Sequence, residues 1–106
     1  MTTERALLEE AYLAEEVLET VIPRRQMRDL GLTVLSIRHR ARQMARAGDL
    51  VASMTQKQIR DAILDDLLFD DPRDFDHLGA PDWDAIIAFI EKLLPLILKI
   101  IALFGL

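Results

Sequence analysis

The sequence predicts an all-α fold: a single four-helix domain of the up-down bundle type, with a highly apolar C-terminal helix kinked at a proline. The chain has 106 residues, close to the commonest size of one domain. Apolar residues make up 51% of it and aromatic residues only 6%. The apolar content is mainly Leu, Ile and Ala, which favours helices over sheets. In each of four segments, apolar residues recur at helical spacing.

The first predicted helix spans residues 3–22, and Pro23 either ends it or opens the next helix. Its apolar seam consists of Leu7, Ala11, Ala14, Leu18 and Val21, widened by Leu8, Val17 and Ile22. Glutamates occupy the other side and flank the seam. Some helical bundles hold two metal ions on glutamates, but those sites also need Glu-x-x-His pairs, which this chain lacks. We therefore interpret the acidic side as a solvated surface.

The second predicted helix spans residues 24–47, with Gly48 as a C-terminal stop. Its packing seam alternates steps of three and four residues: Met27, Leu30, Val34, Ile37, Ala41 and Met44. Gly31 interrupts this helix at a cost of about 1 kcal/mol. We expect the glycine to allow the close approach of a neighbouring helix.

The second helix is rich in arginine. It contains one acidic residue, Asp29, and seven arginines: Arg24, Arg25, Arg28, Arg38, Arg40, Arg42 and Arg46. One interpretation is docking beside the glutamate-rich first helix, with opposite charges along the rim. The other is a phosphate-binding face for nucleic acid or anionic lipid, formed by Arg38, Arg40, Arg42 and Arg46. Docking is favoured, because no aromatic residue is interleaved and no helix-turn-helix turn is evident.

The third predicted helix begins at a capping box, Thr55 to Gln58, and runs to about Phe69. One face carries Ile59, Ala62, Ile63 and Leu67, while Leu64 and Leu68 lie off that face. Because apolar side chains occupy more than one side, we expect two neighbouring elements to bury this helix.

Residues 70–81 form a predicted acidic loop, marked by aspartates, prolines and a glycine. Asp74 and Asp76 have the spacing of calcium-loop ligands, but Ala85 stands where the closing glutamate should be. His77 beside these aspartates is interpreted as part of a solvated pair rather than an acid–base pair. We therefore predict no metal site in this loop.

The last predicted helix, residues 82–106, starts at Pro81 and Asp82 and is the most apolar segment of the chain. Its polar or small residues share one arc of roughly 100° on a helical wheel: Asp84, Ala88, Glu91, Lys92, Pro95, Lys99 and Ala102. Apolar side chains cover the remaining two thirds or so, about twice what a surface helix needs. Pro95 predicts a kink that opens towards the polar arc.

The apolar sides of this helix must be shielded from water by another element, another protein or a membrane. The predicted interface consists of Phe89, Ile90, Leu93, Leu94, Ile97, Leu98, Ile101, Leu103 and Phe104. One possibility is that residues 1–81 of the same chain pack against it. Another is that it packs against a second copy of the chain or within a larger complex. A membrane is the alternative, with residues 83–106 as an anchor or interfacial helix. Residues 86–106 would rise about 31 Å, enough to span a bilayer, but Lys99 costs on the order of 2–3 kcal/mol there.

The residues that would carry enzyme chemistry are not arranged for it. Glycines are too scattered for a phosphate-binding loop, and neither Ser36 nor Ser53 lies in a nucleophile elbow. The chain has no cysteine, which excludes disulfides and thiolate metal sites. We expect no catalytic residue, no cofactor and no metal ligand.

The sequence therefore predicts a non-catalytic structural or assembly subunit whose apolar C-terminal helix packs within an oligomer or a larger complex. Membrane association is the alternative, and nucleic-acid binding through the arginine-rich second helix is the weaker one. The acidic N-terminus lacks a signal-peptide core. We therefore expect an intracellular protein, soluble or in an assembly, with membrane association as the alternative location.

Overall fold

The computed structural model describes residues 3–70, 75–76 and 78–104. These residues form helices and no strand: α1 Glu4–Glu19, α2 Arg24–Asp29, α3 Val34–Arg46, α4 Gln56–Asp70 and α5 Ala80–Leu103. The short α2 and the longer α3 together occupy the predicted second helix. The predicted all-α, four-helix fold is thus confirmed, with the second of its helices divided in two.

Helix α5 is the element around which the other three long helices pack, because it contacts α1, α3 and α4. Its buried side chains are Ile86, Phe89, Ile90, Leu93, Leu94, Leu96, Ile97, Ile100 and Ile101. The residues of the predicted polar arc are exposed: Asp84, Ala88, Glu91, Lys92, Pro95, Lys99 and Ala102. The chain's own helices therefore cover the apolar sides of α5, and the arc faces solvent.

Pro95 lies inside α5, on the exposed arc. Because proline has no N–H, the carbonyl of Glu91 loses its helical donor. Glu91 is also exposed, so water can hydrogen bond to that carbonyl. The kink at this position stays a prediction.

The start of α5 is fixed by a side-chain cap. The backbone N–H of Gly79 donates to the Asp82 carboxylate at 3.0 Å, and an acidic group is favourable at the positive end of a helix. Just before this cap, buried Phe75 stacks on Trp83 with ring centroids 5.6 Å apart. Helix α5 begins at Ala80, slightly before the predicted Pro81. Asp71–Asp74 and His77 of the predicted acidic loop lie outside the described residues.

The prediction of one continuous second helix is wrong at Gly31. This glycine has a φ of +73°, and the N–H of Leu32 donates to the Met27 carbonyl at 2.7 Å. That bond, with a left-handed glycine, is a Schellman motif that ends α2. The physical reason is burial: Leu30, Leu32 and Val34 are all buried, and one helix could not turn all three towards the same core.

The predicted stop at Gly48 and the predicted start at Thr55 are confirmed, but the first helix ends at Glu19 and not at the predicted residue 22. Thr20 caps it there, and the Thr20 hydroxyl donates to the Val17 carbonyl at 2.6 Å. Gly48 has a φ of +83°, and the N–H of Asp49 donates to the Met44 carbonyl at 2.8 Å, which ends α3. At the start of α4, the Gln58 N–H donates to the Thr55 hydroxyl at 3.1 Å, and the Thr55 N–H donates to the Gln58 side chain at 2.8 Å. This reciprocal pair is the predicted capping box.

Among the residues that the structure describes, Glu15 is the one charged residue that is buried, with 5% of its surface exposed. One carboxylate oxygen accepts a hydrogen bond from the Val34 N–H at 2.7 Å, at the first residue of α3. The other accepts from the Arg24 guanidinium at 3.0 Å. The negative charge thus lies at the positive end of α3, and a single side chain on α1 positions both α2 and α3.

Further ion pairs join α3 and α4 to their neighbours: Arg38–Glu4 at 3.8 Å, Arg40–Asp66, and Arg60–Glu91 at 3.1 Å. Hydrogen bonds to Asp61 and then to Glu91 raise the pKa of Arg60 above its ordinary value. The Arg60–Glu91 pair joins α4 to the exposed arc of α5.

Shortening a buried side chain of α5 should destabilise the fold strongly. Leu93 has 0% of its surface exposed, so we expect Leu93→Ala to cost about 2–5 kcal/mol of unfolding free energy through the cavity it leaves. Leu103 lies on the same helix and is 80% exposed; Leu103→Ala should cost less than about 0.5 kcal/mol. Urea denaturation followed by circular dichroism measures both. Similar costs for the two variants would contradict the burial of α5.

Removing the charge of Glu15 should also cost stability. In Glu15→Gln only one of the two oxygens remains an acceptor, and the negative charge beside Arg24 and the start of α3 is lost, so we expect a loss of about 1–3 kcal/mol. Glu16 is the exposed neighbour, and Glu16→Gln should change the unfolding free energy by less than about 0.5 kcal/mol. The same denaturation experiment compares them. Equal stability of the two variants would show that Glu15 does not hold α3 in place.

Candidate protein-binding groove

An open groove of about 410 Å³ runs between α1 and α5. It is lined by Glu10, Leu13, Ala14, Val17, Leu18, Ala85, Ala88, Phe89 and Lys92. Buried Leu18 and Phe89 form its floor. Apart from the two charged residues, every lining side chain is apolar, so the groove favours an apolar occupant.

The two walls of the groove differ in the size of their side chains. On α1, Leu13 and Val17 project from the surface, with 60% and 67% of their surface exposed. On α5, the facing positions are small, Ala85 and Ala88. The groove exists because α5 contributes side chains too short to fill the space beside α1.

The spacing along each helix places these residues on one flank. Glu10, Leu13 and Val17 follow steps of three and four on α1, and so do Ala85, Ala88 and Lys92 on α5. Residues at these steps share one side of a helix over two turns. Each helix therefore presents a continuous strip, two turns long, to whatever enters the groove.

The groove also carries one charge of each sign, Glu10 on α1 and Lys92 on α5. Both side chains are exposed, and neither forms an ion pair with another described residue. The neighbouring Glu9, by contrast, pairs with Arg5 at 3.6 Å. Two charges of opposite sign are thus available beside an apolar surface.

The predicted interface residues of α5 lie mainly inside the protein. Phe89, Ile90, Leu93, Leu94, Ile97 and Ile101 are buried against the chain's own helices. Leu98 and Phe104 are half-buried, and Leu103 is exposed. Of these nine residues only Phe89 lines the groove. The surface that α5 offers to another molecule consists instead of residues that the sequence placed on its polar arc or beside it.

Of the four arginines predicted as an anion-binding face, Arg38, Arg42 and Arg46 follow one another in steps of four along α3, and Arg40 lies on another side of the helix. Arg38 pairs with Glu4 of α1 and Arg40 with Asp66 of α4, and their side chains are only 18% and 17% exposed. Arg42 and Arg46 are exposed, and the Arg46 guanidinium lies 5.9 Å from the centre of the Phe104 ring. The pair to Glu4 agrees with docking beside the glutamate-rich first helix, whereas Arg40 pairs with α4 instead.

A second, polar cleft of about 500 Å³ lies beside α3 and is lined by Gly31, Ser36, His39, Arg40, Gln43, Met44, Ala47, Asp49 and Asp66. Arg40 and Asp66 already bind each other there.

In the part of the chain that the structure describes, His, Asp and Glu form no group of three or more that could hold a metal ion.

Sequence reasoning missed the groove. It placed Val17 and Val21 on the buried seam of the first helix, but they are 67% and 44% exposed. It left Leu13 out altogether. A usable signal was present, because Leu13 and Val17 are four residues apart and form a second apolar strip beside the seam.

Comparison of the chain with protein-family models, with curated proteins and with solved structures finds no match. Among the described residues, no helix is long and apolar enough to cross a membrane. Membrane association through residues 83–106 and nucleic-acid binding through the α3 arginines stay predictions.

The projecting groove residues should be dispensable for folding. Because Leu13 and Val17 are largely exposed, we expect the double variant Leu13→Gln/Val17→Gln to change the unfolding free energy by less than about 1 kcal/mol. Leu18→Ala, on the floor of the groove and 1% exposed, should cost about 2–5 kcal/mol. Thermal and urea denaturation compare the two. A loss of several kcal/mol in the double variant would mean that these residues support the core.

Proposed function

We propose that the protein is a non-catalytic assembly subunit that binds another protein chain through the groove between α1 and α5. The observation that carries this proposal is the pair Leu13 and Val17, exposed side by side along an apolar groove. Single exposed apolar residues are ordinary in proteins. A continuous apolar strip with an adjoining groove is typical of an interaction site.

The form of the groove supports a helical occupant. Its two walls are strips of helix with spacings of three and four residues, which accept a third helix by the packing used in bundles. Leu13 and Val17 supply apolar contact area, while Ala85 and Ala88 allow the close approach of a backbone. The charges of Glu10 and Lys92 lie beside this apolar strip, where they can orient a partner.

Helix α5 has two roles in this proposal. Its buried residues hold the subunit together, and its exposed flank forms one wall of the binding site. The predicted role of the C-terminal helix in assembly is therefore retained, but through Ala85, Ala88 and Lys92 rather than through the buried leucines and isoleucines.

Purification of a tagged chain from its native source, with identification of bound proteins, tests the proposal. We expect the wild type to retain a bound protein, either an untagged copy or another chain, that Leu13→Gln/Val17→Gln loses. Leu35→Gln is the matched control, because Leu35 is 65% exposed on α3 and does not line the groove; it should retain the partner. Equal recovery of every partner by the groove variant and by the control would contradict the proposal.

A further inference from the structure

We infer that the occupant of the groove is a second copy of this chain, bound across a two-fold axis that sets α1 of each copy against α5 of the other. This inference rests on the proposed function and names the partner. Two independent features of the groove support it, one of shape and one of charge.

The shape of the groove is self-complementary. A two-fold interface requires each projection on the surface to meet a depression on the same surface of the partner. Leu13 and Val17 are the projections, and the positions of Ala85 and Ala88 are the depressions. Pairing α1 with the partner's α5 places leucine and valine over alanine twice.

The charges of the groove are self-complementary in the same way. Glu10 belongs to the wall with the projections and Lys92 to the wall with the depressions. We place α1 antiparallel to the partner's α5, because this register sets Glu10 against the partner's Lys92 while Leu13 lies over Ala88 and Val17 over Ala85, once on each side of the axis. Neither residue makes an ion pair with another described residue of its own chain, so both can make this contact.

Charge reversal tests whether α1 of one copy lies against α5 of another, and the size of the complex tests whether it is a two-fold dimer. In Glu10→Lys the dimer would set lysine against lysine at both contacts, and in Lys92→Glu it would set glutamate against glutamate. Each single variant should bind itself at least about tenfold more weakly than the wild type binds itself. An equimolar mixture of the two variants can form a heterodimer with opposite charges at both contacts. At one contact the unchanged Glu10 of one copy meets the unchanged Lys92 of the other. At the second contact the introduced lysine meets the introduced glutamate. The mixture should therefore form a heterodimer about as stable as the wild-type dimer.

Sedimentation velocity over a wide concentration range measures these equilibria, and circular dichroism verifies that each variant is folded. The matched controls are Glu16→Lys on α1 and Lys99→Glu on α5. They make the same charge changes at exposed positions that do not line the groove. Both controls should dimerise like the wild type.

A second measurement uses the absence of cysteine from the chain. Leu13→Cys and Ala88→Cys, mixed with a mild oxidant, should form a disulfide-linked heterodimer. Leu35→Cys mixed with Ala88→Cys should not. This measurement does not depend on the charge variants.

A wild type that stays monomeric at every concentration overturns the second copy as occupant. If Leu13→Gln/Val17→Gln nevertheless loses a protein that the wild type captures from the native source, the proposed function stands and the partner is a different chain. A wild-type dimer whose single variants dimerise as strongly as the controls, or whose mixed variants stay apart, also overturns this inference.

Discussion

The burial of α5 is the constraint on which the rest of the structure depends. Apolar side chains cover roughly two thirds of this helix, so no single neighbour could shield it from water. Three helices, α1, α3 and α4, contact it. These three helices lie where they shield the apolar sides of α5 from water. The polar arc of α5 is the side that they leave exposed. The groove is a consequence of the same arrangement, because Ala85 and Ala88 leave space beside α1 that larger side chains would fill.

Charge has a different role at different places in this fold. Exposed ion pairs such as Arg24–Glu19 contribute about 0–1 kcal/mol each and mainly set how helices lie against one another. Glu15 differs because it is buried and its carboxylate accepts hydrogen bonds from both α2 and α3. Glu10 and Lys92 differ again, because they lie at an apolar groove without an ion-pair partner among the described residues. Burial and pairing, rather than the number of charges, separate the structural residues from the candidate binding residues.

Local pattern was enough to predict the helices and most of their ends. The capping box at Thr55 and the stop at Gly48 depend on residues within one turn, so the sequence shows them directly. The break at Gly31 was missed because a glycine inside a helix costs only about 1 kcal/mol, and the burial of Leu32 that favours the break is visible only in three dimensions. Glu15 was missed for a similar reason, since its hydrogen bond to Val34 joins residues 19 positions apart. The groove depends on how two helices lie side by side, which no single helix reveals.

Amide hydrogen exchange along α5 tests the central claim most directly. If α5 is the covered core of the fold, its amides from Leu96 to Ile101 should exchange only when the whole protein unfolds, with protection matching the global unfolding free energy. Exchange of these amides that is faster than exchange in α1 and α3 would show that α5 opens by itself. That result would contradict a structure organised around this helix.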